Sequence, residues 1–523
     1  MFRLYTAIIL LAAFFLAPAE TVLGGDGKIV YSFHANAGPL NPHLYSPNQM
    51  YAQEMLYEPL VRLAADGGIE PCLAERWEVS MDGRSILFHL REGVFFTDGT
   101  PFDASAAVEN FRAVMANERR HAWLGLTEKI AGYSAPSPAT FRLDLKEAYE
   151  PALRDLALPR PFRFLSPAAF AADGTTHNGI ASPVGTGPWK LAESILGVRD
   201  VFVRNDGYWG DKPMLDRVEV AVIPDPVSRA MALRTGEIDL VYGEGQINFD
   251  MFAGFRSDPG FETAVSPPVG TESIAIHTGK GPTRELAVRR ALQHLTDKEA
   301  IAGGIFLGVR SVADTLFAPD VPYAGISGTP YDHDPEKARR LLGDAGWKLA
   351  PGQTVRAKDG VPLVIDFCFI GNDAAHKAVA EVLQGQFARG GVLLNLVGEE
   401  EDSYLRRQRD GAFGMIMNPT WGPPFEPHAM LSSMRTPSHA DYEAQSGLTM
   451  KDELHADITR ALGEMDGEKR AVLYRRIQDT LHEEAVYLPL NYVTVPTVFR
   501  AGVVKNFSFA PGKFRIPFER FGK

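Results

Sequence analysis

Cysteine is scarce. Cys72 and Cys368 are the only two in 523 residues, so no disulfide framework organises the chain. Neither belongs to a C-x-x-C pair, which removes a cysteine zinc site, and both read as buried, unpaired thiols. Basic charge is also in deficit: 53 Lys and Arg face 65 Asp and Glu. That balance argues against nucleic acid or an anionic lipid surface as a partner. Beyond the extreme N-terminus no apolar run approaches the length of a membrane span. Internal repeats and low-complexity tracts are missing. So are the signatures of chemistry. There is no G-x-S-x-G and no H-E-x-x-H, and Gly279-Lys280 lacks the earlier glycine of a phosphate loop. "GTGPWK" at Gly185 keeps two of the three glycines of a dinucleotide fingerprint but places Pro188 and Trp189 where a helix should begin. The histidines are scattered. No catalytic residue is assigned, and the chain reads as a binding protein rather than an enzyme.

What is present begins with the first residues. Phe2-Arg3 forms a short basic region, Leu4 to Leu16 is almost wholly apolar, and Ala17-Pro18-Ala19 is an A-x-A cleavage site. This is the pattern of a secretory signal peptide over residues 1–19. No cysteine follows it, so the mature chain is expected to be soluble in the periplasm and not lipid-anchored.

With 45% hydrophobic residues, the chain can fill more than one core. Strand and helix signals alternate, which implies an α/β protein. Ile86, Phe88 and Leu90 alternate as in a half-buried strand, and so does Val218 to Asp225. Asp103 can cap a helix that carries Val108, Phe111, Val114 and Met115 on one face. Thr296-Asp297-Lys298-Glu299 reads as a capping box. In "YDHDPEKARRLLGDAGW", Asp334 caps, Pro335 opens the helix and Gly346 ends it. Leu363 to Gly371, a helix through Val379, Val382, Leu383 and Phe387, and Val392 to Val397 make a βαβ unit. Ligands of open α/β sheets gather beyond the carboxyl ends of strands. The stretch after Met415-Ile416-Met417 therefore faces a ligand. That stretch is "TWGPPFEPHAMLSSMRTPSHADY", Thr420 to Tyr442, rich in aromatic and soft side chains and without helical or strand period.

Several blocks resemble one family. "LAERWEVSMDGRSILFHLREGVFFTDGTPFDASAAVENF" (Leu73 to Phe111), "GTGPW", "NDGYWG" (Asn205 to Gly210), "TGEIDL" (Thr235 to Leu240) and "YLPL" (Tyr487 to Leu490) look like the dipeptide/oligopeptide/nickel class of extracytoplasmic solute-binding proteins, family 5. Within the class, "GPLNPHLYSPNQM" (Gly38 to Met50), "RRHAWL" (Arg119 to Leu124), "LALPRPFRF" (Leu156 to Phe164) and the Thr420–Tyr442 stretch resemble its nickel-binding branch. The resemblance implies a two-lobed fold of the class II, cluster C type, with the ligand cleft between lobes joined by a hinge. One lobe, with an extra subdomain, is expected over 20–268 plus 493–523, and the other over 269–492. It also implies delivery to an inner-membrane ABC permease with its ATPases, by a monomer.

The same resemblance names a site. A bare Ni(II) ion would want several N, O or S donors, and the matched stretches offer one, His439. Arg120 and Arg160 would repel a free cation but can pair with carboxylates. Tyr45, Met50, Trp123, Trp421 and Phe425 supply apolar and soft walls. The implied ligand is Ni(II) bound as a chelate with a small carboxylate or histidine-type molecule. His43, His121 and His428 are left as structural. One departure stands out: the nickel branch carries Tyr where this chain has Phe425. Peptide binders of the class place an Asp just after the matching Trp, where this chain has Pro423-Pro424, which counts against a dipeptide or oligopeptide. Haem is the other alternative.

Overall fold

The computed structural model describes residues 27–44, 50–64, 66–437, 439–512 and 514–523. The expected leader, residues 1–19, and Tyr45 lie outside the described residues. No helix among the described residues is long and apolar enough to cross a membrane.

Two principal sheets carry the chain. A seven-stranded sheet runs in the order Phe261–Val265, Pro496–Arg500, Leu240–Tyr242, Lys28–Phe33, Arg217–Val222, Arg199–Arg204, Trp189–Ile195. A five-stranded sheet runs Leu393–Glu399, Val364–Ile370, Met415–Met417, Thr271–Ile276, Tyr487–Tyr492. Strands Val364–Ile370 and Leu393–Glu399 pair in parallel around the helix Ala374–Ala388, the βαβ unit expected from sequence. The alternating strand Ser85–Leu90 belongs to a separate four-stranded antiparallel sheet, with its even positions buried. Asp103 accepts from Ala106 N and Asp334 from Lys337 N, as their positions predict. The capping box is corrected: Asp297, not Thr296, is the cap and accepts from Ala300 N. Thr296 instead closes the preceding helix, its hydroxyl donating to the Leu292 carbonyl. An Asp one residue further on is the better-placed acceptor once a helix already ends at Leu295.

Both thiols are buried and unpaired. Burial pushes each up to about 12, so neither is a thiolate at neutral pH.

The chain passes between the two large sheets twice, through residues 266–270 and 493–495. The two passages run side by side: Val269 N donates to Val493 O at 2.7 Å and Val493 N to Gly270 O at 2.9 Å. A buried charge network braces this junction. Arg310 donates to Glu272 at 3.0 Å and to Glu244, beside the seven-stranded sheet, at 2.9 Å. Its guanidinium lies over the rings of Phe306 and Phe249. His376 pairs with the other Glu272 oxygen at 3.3 Å. Burial alone would push Glu272 up, but His376 and Arg310 outweigh it and hold the carboxyl at about 2. For His376 burial opposes the charge, and Glu272 outweighs it, lifting the imidazole to about 9.

The sign of the pH dependence follows. The carboxyl side contributes stability above the ordinary glutamate value of 4.5 and loses it as pH falls toward about 2. The imidazole side contributes below the ordinary histidine value of 6.5 and loses it as pH rises through about 9. Denaturant midpoints measured from pH 5 to 10 should therefore decline above pH 6.5. Glu272→Gln should lower stability near pH 6 by about 3 kcal/mol and flatten that decline. An unchanged slope in the variant would remove the pair as its source.

Candidate functional site

The short strand Met415–Met417 is fully buried and parallel to Val364–Ile370, so the chain leaves the sheet at its carboxyl end. It is then tied back step by step. Asn418 N donates to Ser273 O, Thr420 N to Thr271 O, and Thr271 N to the Thr420 hydroxyl. Gly422 follows with φ +74°, and a Cβ there would sit 1.9 Å from the Val269 carbonyl. Only glycine permits that approach. Gly422 N donates to Glu426 at 2.7 Å and Phe425 N to Gly422 O at 2.9 Å, which closes the turn.

The stretch Thr420–Tyr442, expected to be an irregular loop, contains two short helices, His428–Ser433 and Ala440–Ala444. All six residues of the first are buried. A helix covered on every side needs no alternation of polar and apolar residues, so it leaves no period to detect. Met430 and Met434 pack into the largest core, and His428 is buried with its Nε2 on Asp155.

Four of the residues named from sequence meet here. Trp421 is central: its ring lies 5.6 Å from Trp123, 6.1 Å from Phe425 and 5.3 Å from His439, each roughly edge to face. Trp123 also meets Phe425 at 6.1 Å. Such pairs contribute about 0.5–1.5 kcal/mol each beyond area burial. Phe514, which sequence reasoning missed, extends the wall by meeting Phe425 at 5.9 Å. Its only local signal was the aromatic density of the tail from Phe507 to Phe521.

His439 stands at the cap position of Ala440–Ala444 on extended backbone, half-buried. Burial lowers its pKa, with Asp441 working the other way, so the imidazole favours the neutral form that can bind a metal. Asp441 is buried, accepts from the Tyr487 hydroxyl at 2.7 Å and from Asn418 at 2.8 Å, and is pushed up by burial. Among the described residues, no three His, Cys, Asp or Glu side chains gather where they could share one ion.

The other candidates frame this cluster. Arg120 is exposed in the turn Glu118–His121, four residues before Leu124, which immediately precedes the helix Gly125–Lys129. Arg160 is half-buried between Pro159 and Pro161. Met50 is buried at the start of the helix Met50–Leu56. Arg163, also missed, links the last two segments: it donates to Glu54 on that helix at 2.7 Å and to the Leu158 carbonyl at 2.8 Å. It is nearly fully buried, which its several acceptors compensate.

One carboxyl joins the segments that carry the rings. Asp155, fully buried, accepts from Leu126 N at 3.1 Å, from the Tyr149 hydroxyl at 2.9 Å and from His428 Nε2 at 2.9 Å. It thereby fixes the turn bearing Arg120 and Trp123, the segment bearing Arg160, and the stretch bearing Trp421 and Phe425. His43 and His121 lie away from this role. His43 is held by Thr176 and the Arg163 carbonyl, and burial lowers both imidazoles to about 4.

A family model for bacterial extracellular solute-binding proteins, family 5 (middle region), matches residues 68–442. The nickel-binding periplasmic protein of Escherichia coli K12 is 49% identical over 494 residues, 94% of each chain. The crystal structure of NikA from Brucella suis in complex with Fe(III)-EDTA has 49% identity and a TM-score of 0.93, and the match covers 95% of this chain and all of that one. The dipeptide-binding protein of E. coli K12 is 26% identical over 89% of each chain.

Removal of one hub partner should be visible without any ligand. His428→Ala leaves a buried carboxyl oxygen of Asp155 without its donor, at a cost of about 1–3 kcal/mol. Denaturant titration reads this directly, and a variant as stable as the parent would show that Asp155 does not organise the region.

Proposed function

The chain belongs to the bacterial extracellular solute-binding proteins, family 5, and from that membership we propose that it captures nickel as a complex with a small carboxylate or histidine-type chelator in the periplasm. The fold is the mixed α/β, two-lobed one of its relatives. The observation that carries the reading is the placing of one imidazole, His439, against Trp421 within a cluster of aromatic rings. A lone neutral imidazole is a weak cage for a bare dication. It is a sufficient final donor for a metal whose other positions a chelator already fills.

In this reading His439 binds the metal through an open coordination position. Arg160 and Arg120 pair with the chelator's carboxylates, which a guanidinium can grip with two parallel bonds. Trp123, Trp421 and Phe425 pack on its organic body, with Tyr45 and Met50 completing the wall. Pro423-Pro424 offers no acid to a peptide amine, and an ammonium buried without a partner is costly. The lobes meet at the paired passages 266–270 and 493–495, which supports boundaries near residues 268 and 492. The closed, loaded monomer would then dock on an ABC permease driven by its ATPases.

Trp123 and Trp421 make the test direct. The mature chain should show tryptophan quenching with Ni(II) plus histidine or a tricarboxylate. His439→Ala should weaken binding at least tenfold, about 1.4 kcal/mol. Quenching by bare Ni(II) in chelator-free buffer, unchanged in that variant, would sink the proposal. Phe425→Tyr restores a hydroxyl beside the ligand. It should change the ratio of affinities for histidine-type and carboxylate-only complexes, read in the same titration.

A further inference from the structure

Phe514 and the Pro423-Pro424 pair also border a cavity of about 390 Å³ whose lining includes none of His439, Arg120, Arg160, Trp123, Trp421 and Phe425. Its walls come from the helix Met50–Leu56 and the residues after it, from Tyr208 to Asp211, and from the C-terminal tail. Arg62, Arg163 and Arg515 converge on it; burial works against the charge on each, and for Arg62 and Arg515 the neighbouring acidic groups outweigh it. Each has one carboxylate partner: Glu70, Glu54 and Glu519, at 2.6, 2.7 and 2.5 Å. A guanidinium has five N–H donors in a fixed fork, so one carboxylate does not exhaust Arg62 or Arg515, whereas Arg163 is taken up by Glu54 and the Leu158, Tyr57 and Ala157 carbonyls.

Glu54, Glu58, Asp211 and Glu519 line the same cavity, Glu54 and Glu519 facing the arginines they pair with. Glu58 accepts from the Tyr208 hydroxyl at 2.7 Å and from Trp209 Nε1 and the Thr186 hydroxyl at 2.8 Å. Burial raises its pKa, and these three hydrogen bonds work the other way. The Cys72 thiol on the wall is neutral, pushed up to about 12. Arg91 lies over the face of Trp209 at 4.7 Å, with its Nε donating to the Cys72 carbonyl at 2.6 Å and its Nη1 3.6 Å from Glu75. Five arginines, Arg62, Arg91, Arg163, Arg515 and Arg520, stand against four acids around a cavity of ligand size, an excess of positive charge that suits an anion. The prolines and Trp209 give it an apolar side suited to a carbon skeleton.

We propose that this cavity is a second binding site, for a small di- or tricarboxylate, separate from the ring cluster and requiring no metal. The proposal does not rest on nickel capture, and the two fail separately.

The test uses the mature chain in metal-free, low-salt buffer, titrated calorimetrically with tricarballylate, a tricarboxylate, and in parallel with inorganic phosphate. Tricarballylate should bind with one equivalent, and its affinity should fall as salt is raised. Arg62→Gln should weaken it at least tenfold. His439→Ala should leave it within twofold. Arg91→Gln, at a half-exposed position, carries the same expectation as Arg62→Gln should the latter not fold by circular dichroism. Absence of tricarballylate binding at millimolar concentration overturns the proposal. So does binding that survives both arginine changes or is lost in His439→Ala, which would place it at the ring cluster. Phosphate binding as tight as tricarballylate overturns the carboxylate class.

Discussion

A carboxyl group removed from water must find donors on every side, and Asp155 finds three from three different parts of the chain. A backbone N–H after the Trp123 turn, a phenol and an imidazole on the second half of the chain all end on its two oxygens. Their common acceptor fixes the relative positions of Trp123, Arg160 and Trp421, which lie far apart in sequence. Rings meeting edge to face are selective in angle but individually weak. Such a cluster keeps one geometry only if its supports are stiffer than the rings themselves. Here the stiffness comes from buried hydrogen bonds with no water to compete for them.

Arginine has two uses in this fold. Arg310 and Arg163 are almost wholly buried and spend their donors on carboxylates and carbonyls of neighbouring segments. They act as multivalent struts where an apolar side chain could fill space but could not set direction. Arg62, Arg91 and Arg120 are half-buried or exposed, so their charge costs less to keep than that of the buried struts.

Much of the fold was legible because its signals are local. Asp103 and Asp334 declare helix starts by standing three residues before the amide they accept from. The βαβ unit around Ala374–Ala388 declares itself by two apolar runs and one helical stripe. The same locality misled at Thr296, where two acceptors stand side by side and only the end of the preceding helix decides between them. Of the site, Trp123, Trp421, Phe425 and His439 were reached through motif resemblance and do converge. Asp155 and Arg163 were not reached. Asp155 meets His428 across 273 positions, and no period or spacing in the sequence records such a pairing. Phe514 arrives from the tail, again by a contact that only the closed fold creates.

Gly422 joins the ring cluster to the passage between the sheets, its Cα face pressed on the Val269 carbonyl. The wall of the pocket is therefore also a bearing surface for whatever movement the two halves of the molecule make. Residues of that wall divide into two populations for an evolving lineage. Under the proposed function, Phe425 is one that can vary in chemistry and retune which complex is held. Gly422 cannot, because any side chain there would run into the Val269 carbonyl. Diversification of cargo in such a protein is channelled through side chains, while the backbone that presents them stays frozen.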